Sequence, residues 1–228
     1  MDIDKREVLR YLGHRGQQLT EELEQMVDEM LELCARLAKP RWTHRRMSLE
    51  AAGSPVVLEG GALRLEGADI AAHLAGAGEA AVMAVTLGVE VEGRIRRLEL
   101  ADMVRSLVLD AAATALTETA CDACQEEIAR AAGEDGLVTG ARFSPGYGDL
   151  PLTVQPDILR VLDTQRKIGL TCTASLILLP RKSVTAVIGL FPRDKRPVKQ
   201  RGRRSCDSCA RRMTCTFRRD GGSCEYTR

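Results

Sequence analysis

Aromatic side chains are scarce. Three Phe, three Tyr and one Trp make up 3% of 228 residues, so the core must be aliphatic, and an aromatic placed in a loop stands out. Net charge is nearly absent: 33 basic and 32 acidic side chains leave a formal +1. The chain as a whole therefore has no electrostatic case for nucleic acid or a membrane surface, and any such signal must be local. No apolar run approaches the roughly 20 residues needed to span a bilayer. The opening MDIDKREVLRYLG is too charged for the apolar region of a secretory signal, so the chain reads as soluble and cytoplasmic. Familiar catalytic signatures are missing as well. There is no GxSxG, no GxxxxGK[ST], no HExxH, and no GxGxxG following a strand, which leaves hydrolase and nucleotide-phosphate chemistry without motif support. His14, His44 and His73 are isolated from one another and are expected to be satisfied structural histidines.

What is present is mostly regular. Leu19, Leu23, Met26, Val27, Met30, Leu31, Cys34 and Leu37 recur at helical steps after Thr20 and end near Pro40, predicting an amphipathic helix that packs on a core. A shorter helix is expected over 3–12. Short β-prone runs fill 42–65, Asp69 is expected to cap the short helix DIAAHLAG, and AAVMAVTLG has the length of a buried strand. Two Ala- and Leu-rich helices follow, with a break between Leu98 and Asp102. PDILRVLDTQRKIG predicts one more helix, and SLILLPRKSVTAVIGLFP predicts a β-hairpin turning around Pro180, Arg181 and Lys182. The sum is an α+β domain, helices packed against a mostly antiparallel sheet. Its expected divisions are a helical segment over 1–40, the core over 41–191 and an appendage over 192–228.

That appendage is nearly free of aliphatic residues, so burial cannot order it. Four of the eight cysteines fall there: Cys206, Cys209, Cys215 and Cys224, spaced C-x2-C-x5-C-x8-C. Such a set can supply four thiolates to zinc or to an iron–sulfur cluster, and the spacing does not choose between them. The Arg and Lys residues from Arg193 to Arg219 would stabilise thiolate charge. Only Phe217 interrupts that span, which leaves base stacking unsupported and favours a partner-docking or cluster-supporting role over nucleic acid. Cys121 and Cys124 also form a CxxC, but within a helical run, and read as core packing; Cys34 and Cys172 read as buried small residues.

The stretch RFSPGYGDLP, Arg142 to Pro151, breaks the regularity. An arginine, two prolines and two glycines around a tyrosine suit either a stiff turn or a ligand loop. Arg142 can bind a carboxylate through paired hydrogen bonds, Gly146 allows close backbone approach, and Tyr147 offers a flat face.

This loop, followed after a helix by IGLTCTASLILLPRKSVTAVIGL, resembles the activation domain of cobalamin-dependent methionine synthase and the stand-alone proteins related to it. TLGVEVEGRIRRLELADMVRSLVLDAAATALTETACD is similar to the helical region before that loop, and the likeness runs over about half the chain, 80–191. It implies an S-adenosylmethionine-binding protein that assists reductive methylation of a cobalamin-dependent methyltransferase. Arg142, Ser144, Gly146 and Tyr147 stand at the family's donor-binding positions, with Glu118 near the donor's amino-acid portion. No cobalamin-binding or folate domain fits the length, and no Asp-x-His-x-x-Gly ligand motif occurs, so cobalamin would be carried by a separate corrinoid protein. GDLP departs from the methionine synthase loop, and the Cys-rich tail lies outside the resembling domain. Two alternatives to the donor-binding role are an iron–sulfur protein passing electrons to a corrinoid protein and a non-catalytic corrinoid-protein interaction module.

Overall fold

The computed structural model describes residues 1–195 apart from Arg15 and Ala52, together with Met213. The chain runs through α1 (Lys5–Tyr11), α2 (Glu21–Leu37), β1 (Arg41–Ala51), β2 (Val56–Leu58), β3 (Leu63–Leu65), α3 (Ala68–His73) and β4 (Glu79–Thr86). It continues through α4 (Val89–Ala101), α5 (Met103–Glu134), β5 (Leu137–Phe143), α6 (Gln155–Leu162), α7 (Thr164–Ile168), β6 (Thr171–Cys172), β7 (Leu178–Leu179) and β8 (Ser183–Pro192). Residues 1–195 form one compact unit.

Strand β4 decides the layering. Its residues are apolar on both faces, and from Ala80 to Thr86 every one is buried. A strand of that kind must be covered twice. Ala81, Met83 and Val85 face a core shared with α1, α2, α4 and α5. Ala80, Val82 and Ala84 face a second core closed by β2, β3, α3, α6 and α7. The sheet between them has the order β3-β2-β1-β4-β8-β5, with every neighbouring pair antiparallel. The expected α+β class with an antiparallel sheet is the class observed.

Local chemistry sets the helix ends. Thr20 accepts the Leu23 N–H and starts α2, whose Val27, Met30 and Cys34 are buried at steps of three and four in the core that α2 shares with α5. Asp102 adopts an extended conformation that ends α4, and its carboxylate accepts the Arg105 N–H to start α5. Helix α5 has 32 residues, about 48 Å at 1.5 Å per residue. Six of its fourteen buried residues are alanine, which lets the helix lie close to the sheet. Each fully buried Leu, Ile or Val in these layers contributes about 1.5–3 kcal/mol relative to exposure.

Four expectations need correction. SLILLPRKSVTAVIGLFP is not a hairpin: β7 pairs with β6 in a separate two-stranded sheet, while β8 lies between β4 and β5. Leu176, at φ 65°, turns the chain before β7 and redirects it. PDILRVLDTQRKIG is two helices, because Asp163 at φ 51° interrupts the turn between α6 and α7. Asp69 does not cap α3. That duty falls to Asp149, whose carboxylate accepts the Ala68 and Asp69 N–H groups. Cys172 is half-buried, at the end of the short strand β6, whereas Cys34, Cys121 and Cys124 are fully buried.

Candidate functional site

The stretch that begins RFSP starts inside a strand. Arg142 and Phe143 are the last residues of β5, an edge strand whose ladder with β8 pairs Thr139 with Leu190 and Arg142 with Ile188. Two residues, Gly140 and Ala141, therefore stand opposite the single residue Gly189, which is a β-bulge. The bulge changes which way Arg142 faces. Leu137 packs on the α5 side of the sheet and Phe143 on the α3 side, although an unbroken strand would put residues six apart on one face. The extra residue turns Arg142 toward α5.

There it meets a row of side chains. Arg142 Nη1 donates to Asp122 Oδ1 at 2.7 Å and to Gln125 Oε1 at 3.0 Å, and Nη2 donates to Glu118 Oε2 at 3.2 Å. Glu118, Asp122 and Gln125 are spaced four and three apart, on one face of α5. Burial works against the Arg142 charge, yet hydrogen bonding and attraction to Asp122, with Glu118 assisting, raise its pKa above the ordinary value. The Arg142 side chain is about one-quarter exposed, while those of Glu118 and Asp122 are more than half exposed. A fixed cation flanked by two solvent-facing carboxylates can receive a zwitterion: the cation takes a carboxylate, the carboxylates an ammonium. Tyr11 at the end of α1 also feels this row, since its phenol is raised by burial and then by the Glu118 charge.

After Phe143 the chain makes a tight turn. The Tyr147 N–H donates to Ser144 O at 3.0 Å, and Pro145 followed by Gly146 at φ 88° is the residue pair that a type II turn takes. Gly146 is needed for its dihedral, and a Cβ there would also come within 3.3 Å of Leu152 Cδ2. Its N–H reaches Leu150 O at 2.9 Å. Ser144 is half-buried, and Tyr147 is 49% exposed. The Tyr147 ring stands edge-on to Phe143 with centroids 6.2 Å apart, and Phe143 in turn meets His73 at 5.0 Å. In a chain with so few aromatics, two of them meet at this turn.

The structure thus brings Arg142 and Glu118 into direct contact and sets Ser144, Gly146 and Tyr147 in the turn that follows. Sequence reasoning passed over Asp122, Gln125 and His73. The spacing of Glu118, Asp122 and Gln125 was the available signal for the first two; His73 gave none. Its Nε2 lies 3.0 Å from Ala141 O, and burial lowers its pKa while that bond opposes the shift. His44 shares Glu127 with Trp42 on another part of α5, and His14 is half-buried near Gln17. Cys121 and Cys124 point into the core, where burial pushes both thiols up to about 12. Among the described residues no cluster of three His, Cys, Asp or Glu is arranged to hold a metal ion. Cys206, Cys209, Cys215 and Cys224 lie outside the described residues. A surface depression of about 260 Å³ lies elsewhere, lined by Met1, Ala35, Ala38, Pro40, Trp42 and Leu116; with no titratable side chain in its wall, it offers no chemistry. Among the described residues no helix is long and apolar enough to cross a membrane.

No protein-family model matches the chain, and no curated protein matches it. Among solved structures, the MetH reactivation domain bound to AdoHcy is similar, with a TM-score of 0.63 and 16% identity over 97% of this chain and 82% of that one. The resemblance read from the loop and the helices before it holds at the level of fold: the chain has the fold of the MetH reactivation domain.

Proposed function

We propose that this chain binds S-adenosylmethionine, or its demethylated product, at the Arg142 turn and assists reductive methylation of a corrinoid-dependent methyltransferase in trans. The observation that carries this reading is the arrangement of Arg142 beside Glu118 and Asp122, followed directly by the Ser144–Tyr147 turn. It suits a ligand with an amino-acid end and a flat end. The donor's carboxylate takes the Arg142 protons that the α5 side chains leave, Nε and the second of Nη2. Its ammonium takes Glu118, and its adenine lies toward Tyr147. The solved domain of the same fold was captured with AdoHcy, a ligand of that shape. Cobalamin supplies the methyl-accepting cobalt and belongs to a separate corrinoid protein; this chain's part is to hold and orient the donor.

Calorimetric titration tests the site. S-adenosylmethionine and S-adenosylhomocysteine bind the intact protein, adenosine binds more weakly for want of the amino-acid end, and Arg142→Ala abolishes the difference between them. A folded protein that takes up neither ligand, or an Arg142→Ala variant with unchanged affinity, overturns the assignment.

A second reading concerns 192–228 and is supported by the spacing of Cys206, Cys209, Cys215 and Cys224. We take this appendage as a four-thiolate centre. An iron–sulfur cluster would let the chain hand an electron to the corrinoid partner, whereas zinc would order the appendage. Anaerobic purification with metal analysis and a visible spectrum separates the two, and a protein free of both metals removes the centre.

A further inference from the structure

The bulge that turns Arg142 is held from both sides of the sheet. Its two carbonyls, Gly140 O and Ala141 O, each accept a hydrogen bond from a side chain, and the two donors come from opposite layers. Gln125 Nε2, on α5, reaches Gly140 O at 3.2 Å. His73 Nε2, at the end of α3, reaches Ala141 O at 3.0 Å. A carbonyl can only accept, so His73 must carry its proton on Nε2. Gln125 has a second task, because its Oε1 accepts Arg142 Nη1 at 3.0 Å. One amide therefore grips both the bulge and the guanidinium that the bulge aims. From the β8 side, the Phe191 ring fills the space across the bulge. A Cβ on Gly189 would fall 2.7 Å from that ring, and one on Gly140 would fall 3.0 Å from it.

We propose that His73 and Gln125 are positioning residues for Arg142, pinning the Gly140–Ala141 bulge so that the guanidinium faces α5. The reason is parity. A strand that loses its extra residue moves every later side chain to the opposite face, which would carry Arg142 into the α3 layer and Phe143 toward α5. Holding both carbonyls of the bulge opposes that slip, on an edge strand with a neighbouring strand on one side only. His73 has a further reach. Its ring packs on Phe143, and Phe143 on Tyr147, so the same side chain steadies both the cation and the flat face of the turn. The pinning of the bulge stands on its hydrogen bonds to α3 and α5, whatever the protein binds. Its consequence for ligand binding rests on the reading of the Arg142 turn as the donor site.

The experiment keeps those two parts apart. Nitrogen-15 spectra of the ligand-free protein follow the Arg142 Nε–H signal, identified by its loss in Arg142→Lys. His73→Phe keeps a ring against Phe143 and removes the donor, whereas His73→Gln removes the ring and keeps a donor. Gln125→Glu keeps an acceptor for Arg142 and removes the donor to Gly140. The Arg142 signal is expected to shift and broaden in His73→Phe and Gln125→Glu and to recover in His73→Gln. S-adenosylmethionine affinity is expected to fall by about three- to tenfold in His73→Phe, the worth of one hydrogen bond, and to return in part in His73→Gln, which restores the donor without the ring. An unchanged Arg142 signal in folded His73→Phe and Gln125→Glu overturns the positioning role, whatever the protein binds. If the wild type takes up no donor, the reading of the turn as a donor site fails, and the Arg142 signal still decides the positioning role.

Discussion

Asp149 accepts the backbone N–H of Ala68 at 2.6 Å, from a position 81 residues away in the chain. The same carboxylate takes the Asp69 N–H at 3.0 Å, so the start of α3 is capped by the loop that follows β5. Gly148 lies between them at φ 52°, where a Cβ would sit 2.9 Å from Asp69 Cβ. The GDLP portion of the loop is therefore an anchor. It holds the turn bearing Tyr147 against the helix that bears His73.

Removing that anchor has a measurable cost. Asp149→Ala should lower stability by about 0.5–2 kcal/mol, the range for deleting a helix cap, and Asp149→Asn should retain part of it through its remaining amide oxygen. Urea denaturation reads both values. A midpoint in Asp149→Ala equal to that of the wild type would mean that the cap contributes nothing in solution.

A second pair ties α6 to the sheet. Gln155 and Thr185 are both 3% exposed; Gln155 Nε2 donates to Thr185 Oγ1 at 2.8 Å, and Thr185 Oγ1 donates to Gln155 Oε1 at 3.1 Å. Thr185→Val strands a buried amide and should cost about 1–3 kcal/mol. Gln155→Met combined with Thr185→Val removes both polar partners and should cost less than the two single changes summed. Strict additivity in the double-mutant cycle would show that the two side chains do not interact.

The buried thiols make a prediction about pH. Cys34, Cys121 and Cys124 are fully buried, and burial pushes each up from 9.0 to about 12. The unfolded chain releases these protons above pH 9 while the folded chain keeps them, so the unfolded state binds fewer protons in that range. The thiols' contribution to stability is complete below pH 9 and is lost as the pH rises toward about 12. Replacing Cys121 and Cys124 with alanine should flatten that alkaline loss. At pH 8, alkylation mapped by mass spectrometry should spare all three in the native protein and reach them after unfolding; native labelling of Cys121 would contradict the burial.

Arg142 itself separates structure from binding. Arg142→Ala leaves Glu118 and Asp122, one turn apart on α5, without their shared cation. Because both carboxylates are more than half exposed, solvent screens most of the resulting repulsion, and stability should fall by no more than about 1 kcal/mol. Thermal melts should therefore show a small shift beside the complete loss of donor discrimination. A collapse of the fold would instead make Arg142 a structural residue.

Much of the architecture was legible in local sequence. The steps among Val27, Met30 and Cys34 marked the buried face of α2, Asp102 marked the break between α4 and α5, and the unbroken apolar run of β4 announced a buried strand. These features depend on neighbours within a turn or a strand, so a short window of sequence carries them. The Ser144–Tyr147 turn was legible for the same reason, since Pro145 and Gly146 dictate its dihedrals.

Other features were settled only when distant segments met. The sequence placed Arg142 in a loop, but the pairing of β5 with β8 put it at a strand end and inserted the bulge that turned it toward α5. Gln125 and His73 grip that bulge across 15 and 68 residues of chain, and Asp149 caps α3 across 81. Nothing within a few residues of His73 identifies Ala141 as its acceptor. The sequence by itself determined α2, the α4–α5 break, the central strand and the turn, because local dihedral preferences and apolar periodicity suffice for them. Only the tertiary structure decided which way Arg142 faces and what holds it, because side-chain parity at an edge strand depends on a register that both covering layers must close.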